Sequence, residues 1–128
     1  MVSARGMKRK NDVSEKVNNQ PTIDGEEILD GVLCWVDVES PSHDPDAVNH
    51  MADHVEEGFA MIRMKVERTP GRDGYGDILK ARTPWGEEPG ILVLSHIDTV
   101  HALGTKDGAN PIRREGDKVY GPGIYDMK

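Results

Sequence analysis

A histidine and an aspartate stand two residues apart at the end of an apolar run, Ile91-Leu92-Val93-Leu94-Ser95-His96-Ile97-Asp98-Thr99-Val100. In an extended chain residues i and i+2 point to the same side, so His96 and Asp98 share a face. That pairing suits a metal-bound imidazole. One ring nitrogen takes the cation, and a carboxylate accepts the proton of the other and holds the ring still. A further acid, Asp126, lies in Tyr120-Gly121-Pro122-Gly123-Ile124-Tyr125-Asp126-Met127-Lys128. The Gly-Pro-Gly turn before it suits a backbone that swings a carboxylate back toward the tip of a strand.

Other reactive side chains fit structural roles better. His50 and His54 are four apart on an expected helix, but they fall opposite its apolar stripe, and no glutamate follows His50 as a zincin requires. His43 lies in a loop beside Asp44 and Asp46. His101 closely follows the His-x-Asp pair and reads as a loop residue, with lining the site or binding substrate as the alternative. Cys34 falls on the polar side of a helix with no His or Asn partner in evidence. Ser95 lacks the surrounding Gly-x-Ser-x-Gly of a nucleophile elbow. Gly71 to Asp77 offers Gly-x-x-Gly-x-Gly, which is not the dinucleotide fingerprint, since that needs a strand before it and a helix after it, so it reads as a turn between strands.

The elements that must position His96, Asp98 and Asp126 are legible from patterning. A helix is expected after Thr22 or Asp24, with Glu26 and Glu27 suiting its positive end, and it should stop near Glu39-Ser40-Pro41 because Pro41 disfavours a helical Ser40. Ile28, Leu29, Val32, Leu33, Trp35 and Val36 form its apolar stripe. A second helix is expected from about Pro45 to about Ile62, capped by Asp44, with Val48, Met51, Ala52, Val55, Phe59 and Ile62 on one face. Strands follow at Met64 to Arg68 and Asp77 to Arg82, then a buried central strand at Ile91 to Ser95. A short hairpin joins Pro111–Arg114 to Lys118–Tyr120 around Glu115-Gly116-Asp117. Two helices followed by three or four strands imply an α/β layered domain. Both long helices precede the sheet, so helices covering its other face are expected to be missing from this chain.

Bulk properties narrow the classes. The 128 residues suffice for one domain or part of a larger one. A net charge of −7 argues against a nucleic-acid binder held by phosphate contacts. Residues 1–20 carry +3 and the remainder −10, so a basic leader, expected to be disordered, precedes an acidic body. One cysteine excludes an internal disulfide and a multi-cysteine zinc cage. No run approaches the roughly 20 apolar residues of a membrane span, and the N-terminus has no apolar signal region. A cytoplasmic protein without membrane or nucleic-acid partners is the expectation.

Taken together, Leu94-Ser95-His96-Ile97-Asp98-Thr99-Val100 and Glu115-Gly116-Asp117-Lys118-Val119-Tyr120-Gly121-Pro122-Gly123-Ile124-Tyr125-Asp126-Met127-Lys128 resemble a two-zinc peptidase family. Its members include glutamate carboxypeptidases, acetylornithine deacetylase and succinyl-diaminopimelate desuccinylase. The first block is similar to that family's His-x-Asp motif, the second to its Gly-x-Gly-x-x-Asp-x-Lys motif. Trp35 to Ser42 and Pro70 to Asp77 look most like the glutamate carboxypeptidase branch. The resemblance runs from about Asp24 to Lys128.

The resemblance implies a fold, an activity and roles. The fold is the N-terminal part of a helix-covered mixed-sheet catalytic domain of zinc-peptidase type, incomplete, with residues 21–128 lacking the lid domain and the C-terminal half. His96 matches a ligand of one zinc, Asp126 the carboxylate bridging both, and Asp98 the acid that orients His96. The peptide after Asp126 matches one that is often cis. The implied cofactor is Zn2+, two per complete enzyme, with Co2+ as a substitute. The implied reaction is hydrolysis of a C-terminal amide bond by a zinc-bridging hydroxide, releasing glutamate from a small peptide or acylated amino acid. A deacylase or aminoacylase of the same family is the alternative substrate class. The family's Glu-Glu pair, supplying the general base and a ligand, should lie well beyond Lys128. The isolated chain is therefore expected to be inactive, with a homodimer only for the full-length enzyme. A non-catalytic metal-binding or interaction fragment is the reading from another class.

Overall fold

The computed structural model describes residues 22–85 and 90–126. The leader expected over 1–20, the middle of the turn at 86–89 and the peptide after Asp126 lie outside those residues.

Helix α1 spans Gly25–Val36. Asp24 caps it, accepting the Glu26 N–H at 2.9 Å, and Glu26 and Glu27 occupy the first turn, where carboxylates meet the positive end of the helix dipole. The helix ends before the expected Glu39-Ser40-Pro41. Asp37 caps it, and the Val38 N–H closes a tight turn on the Trp35 carbonyl. The polar groups of residues 39–42 are engaged by a distant loop instead, which draws the chain out of the helix. The apolar stripe is also less covered than its pattern suggests. Val36 is fully buried, but Ile28 is 56% exposed.

Helix α2 spans Pro45–Met61, with Asp44 accepting the Ala47 N–H at 3.0 Å and Pro45 at the first helical position. Val48, Met51, Ala52 and Val55 are its buried face. Ile62, expected on that stripe, is the C-cap and 55% exposed, because Arg63 turns the chain with φ +61°. α2 packs on an antiparallel pair, β1 (Lys65–Thr69) and β2 (Ile78–Arg82), in register from Lys65 opposite Arg82 to Thr69 opposite Ile78.

Arg68 ties these three elements together. Its guanidinium bonds Asp77 at 2.6 Å, Asp53 on α2, and the Asn49 carbonyl at 3.3 Å. Asp77 in turn accepts the Gly71 N–H at 2.9 Å and donates its own N–H to the Asn49 side chain at 2.7 Å. The glycine-rich segment is thus a packed turn, as its flanking strands implied. A Cβ on Gly71 would stand 2.1 Å from the Tyr75 carbonyl oxygen, and one on Gly76 would stand 2.4 Å from Val48. Only glycine allows that approach.

A second antiparallel pair, β3 (Arg113–Glu115) and β4 (Lys118–Tyr120), is joined by Gly116-Asp117. Gly116 has φ +65°, which a two-residue hairpin turn requires at its first central position. Arg114 fixes this hairpin to the first turn of α1 through two bonds to Glu26, 2.6 and 2.9 Å.

Mixed α/β structure is therefore present, but two expectations are corrected. The sheets among the described residues are two separate antiparallel pairs rather than one mixed sheet. Residues 91–95 form no strand, and Ile91, Leu92, Val93 and Leu94 are 79–95% exposed. A central strand is stabilised by ladders on both edges and by layers on both faces. The described residues give 91–95 no pairing strand. Without a ladder or a covering layer, apolar residues alone do not hold an extended chain in place.

These ion pairs set an acid limit on stability. The Gly71 N–H and Arg68 hold the Asp77 carboxyl below its ordinary value, Lys80 does so for Glu67, and Arg114 for Glu26. A carboxyl depressed in the folded state stabilises above its unfolded pKa, near 4, and loses that contribution as pH falls through the lower folded value. Urea unfolding midpoints are expected to hold steady above about pH 5 and to fall progressively below about pH 4. A midpoint that rises on acidification would contradict these pairings.

Candidate metal site

His96, Asp98 and Asp126 come together, although 30 residues separate the first from the last. His96 Nδ1 lies 3.0 Å from the Asp98 backbone carbonyl oxygen and 3.4 Å from Asp98 Oδ1, while Nε2 lies 3.7 Å from Asp126 Oδ1. A carbonyl oxygen only accepts, so Nδ1 carries the proton in the neutral ring. Nε2 then presents its lone pair toward Asp126. The sequence placed the carboxylate of Asp98 as the orienting group, and the structure adds its main-chain carbonyl, at the shorter distance.

The turn at Gly121-Pro122-Gly123-Ile124 delivers Asp126. Pro122 and Gly123 occupy its centre, Gly123 has φ +76°, and the Ile124 N–H reaches the Gly121 carbonyl at 3.5 Å, the pattern of a type II turn. Gly121, Pro122 and Gly123 are buried, and a Cβ on Gly121 would come within 2.9 Å of Val36 at the end of α1. Gly123→Ala forces a non-glycine residue into the left-handed region. It is expected to cost about 1 kcal/mol in chemical denaturation and to weaken zinc binding by displacing Asp126. Unchanged zinc affinity in a folded variant would separate the turn from the site.

The His-x-Asp segment is braced from the other side of the sequence. Ser40 is fully buried, and its hydroxyl donates to the Ile97 carbonyl at 2.6 Å. The Thr99 N–H donates to the Ser40 carbonyl at 2.8 Å, and the Ser42 N–H to the Thr99 carbonyl at 2.9 Å, so Pro41 and Thr99 form a parallel bridge. Farther along, the Glu39 carboxylate accepts the N–H groups of Gly104 (2.7 Å) and Lys106 (2.9 Å), and Lys106 Nζ bonds Asp37. Burial works to raise the Glu39 pKa, but the N–H groups of Lys106, Gly104 and Thr105 and the Lys106 charge outweigh it and hold the carboxyl below its ordinary value. This brace was missed in the sequence. Its trace was the Glu39-Ser40-Pro41-Ser42 stretch, where the first helix was expected to stop and which lies in the Trp35 to Ser42 block of the resemblance.

The remaining candidates sit elsewhere. His50 is exposed, and His54 is half-buried with its ring edge against Trp35, centroids 6.4 Å apart. His43 tilts on Tyr75 at 5.5 Å and, with Ser42, Thr99 and His101, lines an open groove of about 420 Å³. Cys34 and Ser95 are exposed.

An imidazole nitrogen and a carboxylate oxygen are donors zinc favours. Two such atoms on one tetrahedral zinc, each about 2.0 Å from it, stand about 3.3 Å apart. The 3.7 Å between Nε2 and Asp126 Oδ1 is within a few tenths of that. Among the described residues no group of three or more His, Cys, Asp or Glu side chains is placed to hold a metal, so this pair offers two donors. Also among them, no helix is long and apolar enough to cross a membrane.

Comparison with known proteins gives a distant relative. The chain is 31% identical over 94 residues to Carboxypeptidase G2 of Pseudomonas sp. (strain RS-16), a match covering 73% of this chain and 22% of that protein. The chain thus spans about a fifth of the length of the curated relative it matches. No protein-family profile matches it.

Proposed function

We propose that this chain forms part of the metal-binding half of a zinc-dependent carboxypeptidase of glutamate carboxypeptidase type, which hydrolyses a C-terminal amide bond and releases glutamate. The observation that carries this reading is the placement of His96 between two acids. Its Nδ1 proton is held by Asp98 and its Nε2 faces Asp126 at 3.7 Å. The likeness to a protein named as a carboxypeptidase supports the same class.

In this reading His96 Nε2 and Asp126 are the residues that would hold the metal. A bound zinc would supply Lewis acidity for hydrolysis of the amide. Asp98 keeps the His96 proton on Nδ1, so Nε2 stays a donor to the metal rather than to solvent. Structural zinc sites use four protein ligands and catalytic ones usually three, and hydrolysis also needs a group to take the water proton. The pair here accounts for two ligands and no base. We assign the remaining ligands and the base to residues other than the described ones, and the 128 residues by themselves are expected to show no hydrolysis.

Expression of the complete reading frame beside the 128-residue chain tests this. The longer protein is expected to release glutamate from N-acylglutamate substrates in a zinc-dependent manner, and the short chain is expected to release none. Preference for other acylated amino acids over acylglutamates would move the protein to the deacylase class. Hydrolysis that survives His96→Ala in the longer protein would reject the site.

A further inference from the structure

We infer that Ser40 is a positioning residue for the candidate metal site, setting the tautomer of His96 through the two peptide groups that flank Asp98. The inference deepens the reading of His96 as a zinc ligand and rests on it for its functional meaning. Ser40 lies 57 residues before Ile97 and grips the chain on both sides of Asp98. Its hydroxyl fixes the carbonyl of the peptide before Asp98, and its own carbonyl accepts the N–H of the peptide after it.

The geometry links this grip to the imidazole. A trans peptide points its N–H and C=O to opposite sides. Holding the Thr99 N–H on Ser40 therefore aims the Asp98 carbonyl away from Ser40. That carbonyl is the atom 3.0 Å from His96 Nδ1. The chain of contacts runs from Ser40 through the Asp98 peptide to Nδ1, and leaves Nε2 free on the Asp126 side. Complete burial of Ser40 adds to the constraint, because its hydroxyl is shielded from water and is held on the Ile97 carbonyl. Glu39 secures the far end of the same loop through Gly104 and Lys106, so the turn bearing Asp98 is held at entry and exit.

The test is the side-chain nitrogen spectrum of His96 in the metal-free 128-residue chain, recorded where the ring is neutral, followed by zinc addition. The wild type is expected to show a proton on Nδ1. Ser40→Ala frees the Ile97 carbonyl but keeps the main-chain bond to the Thr99 N–H, so it is expected to move the tautomer ratio about twofold toward the Nε2–H form and to weaken zinc binding by a similar factor. Ser40→Thr, which keeps the hydroxyl, restores the wild-type ratio. Ser42→Ala leaves it unchanged, because the Ser42 N–H still bonds the Thr99 carbonyl. If alanine at position 40 prevents folding, Ser40→Cys preserves the volume with a weaker donor and is expected to shift the ratio in the same direction by less. An unchanged ratio in a folded Ser40→Ala or Ser40→Cys variant, or an Nε2–H wild type, overturns the inference. A wild-type Nδ1–H ratio that responds to Ser40→Ala but not to zinc keeps the positioning role and rejects the metal reading instead.

Discussion

His96→Ala is expected to reduce the zinc affinity of this chain by more than about 100-fold in competition with a chromophoric chelator, while Asp98→Asn reduces it about 10- to 100-fold. The two effects differ because the residues act at different removes. His96 supplies the donor atom, Nε2, and among the described residues no cluster of three or more donor side chains stands ready to replace it. Asp98 acts through the ring. Its carboxylate is 3.4 Å from Nδ1 and its carbonyl is 3.0 Å away, so the asparagine variant loses charge but keeps the main-chain acceptor. A residual preference for the Nδ1–H tautomer therefore survives in Asp98→Asn. Equal losses in the two variants would mean that the carboxylate of Asp98 binds the metal directly.

Met51→Ala is the stability counterpart and is expected to lower the unfolding free energy by about 3 kcal/mol in urea denaturation. Met51 is fully buried on the face of α2, beside Val48, Ala52 and Val55. The buried apolar set of the described residues is small, Val36 and these four, so each side chain is a large share of the core. The cavity left by truncation adds to the lost transfer energy because neighbours relax only partly. Met51→Leu keeps the volume and should cost less than about 1.5 kcal/mol. A loss below about 1 kcal/mol for the alanine variant would show that α2 is not packed as described.

The helices were legible because their codes are local. Asp44-Pro45 names a cap and a first helical position, and the α2 stripe repeats at helical spacing over four turns. Gly116 and the Pro122-Gly123 pair announced turns for the same reason, since positive φ is written in residue type. The His-x-Asp spacing put the metal candidates on one side of the chain, and the turn geometry brings Asp126 to them. What failed was non-local. Ile91 to Leu94 reads as a central strand, yet strand formation depends on partners that no residue within the segment encodes. Ser40 and Glu39 escaped notice because their partners lie 57 to 67 residues ahead, and a polar run after a helix reads equally well as a solvated loop.

The central claim is that His96 and Asp126 hold zinc. X-ray absorption at the zinc edge on the 128-residue chain with one equivalent of Zn2+ tests it most directly. The account predicts a first shell of nitrogen and oxygen only, with one imidazole, and loss of the imidazole contribution in His96→Ala. A sulfur neighbour would place the ion at Cys34, and two or more imidazoles surviving in His96→Ala would place it among the other histidines. Either result would contradict the site described here.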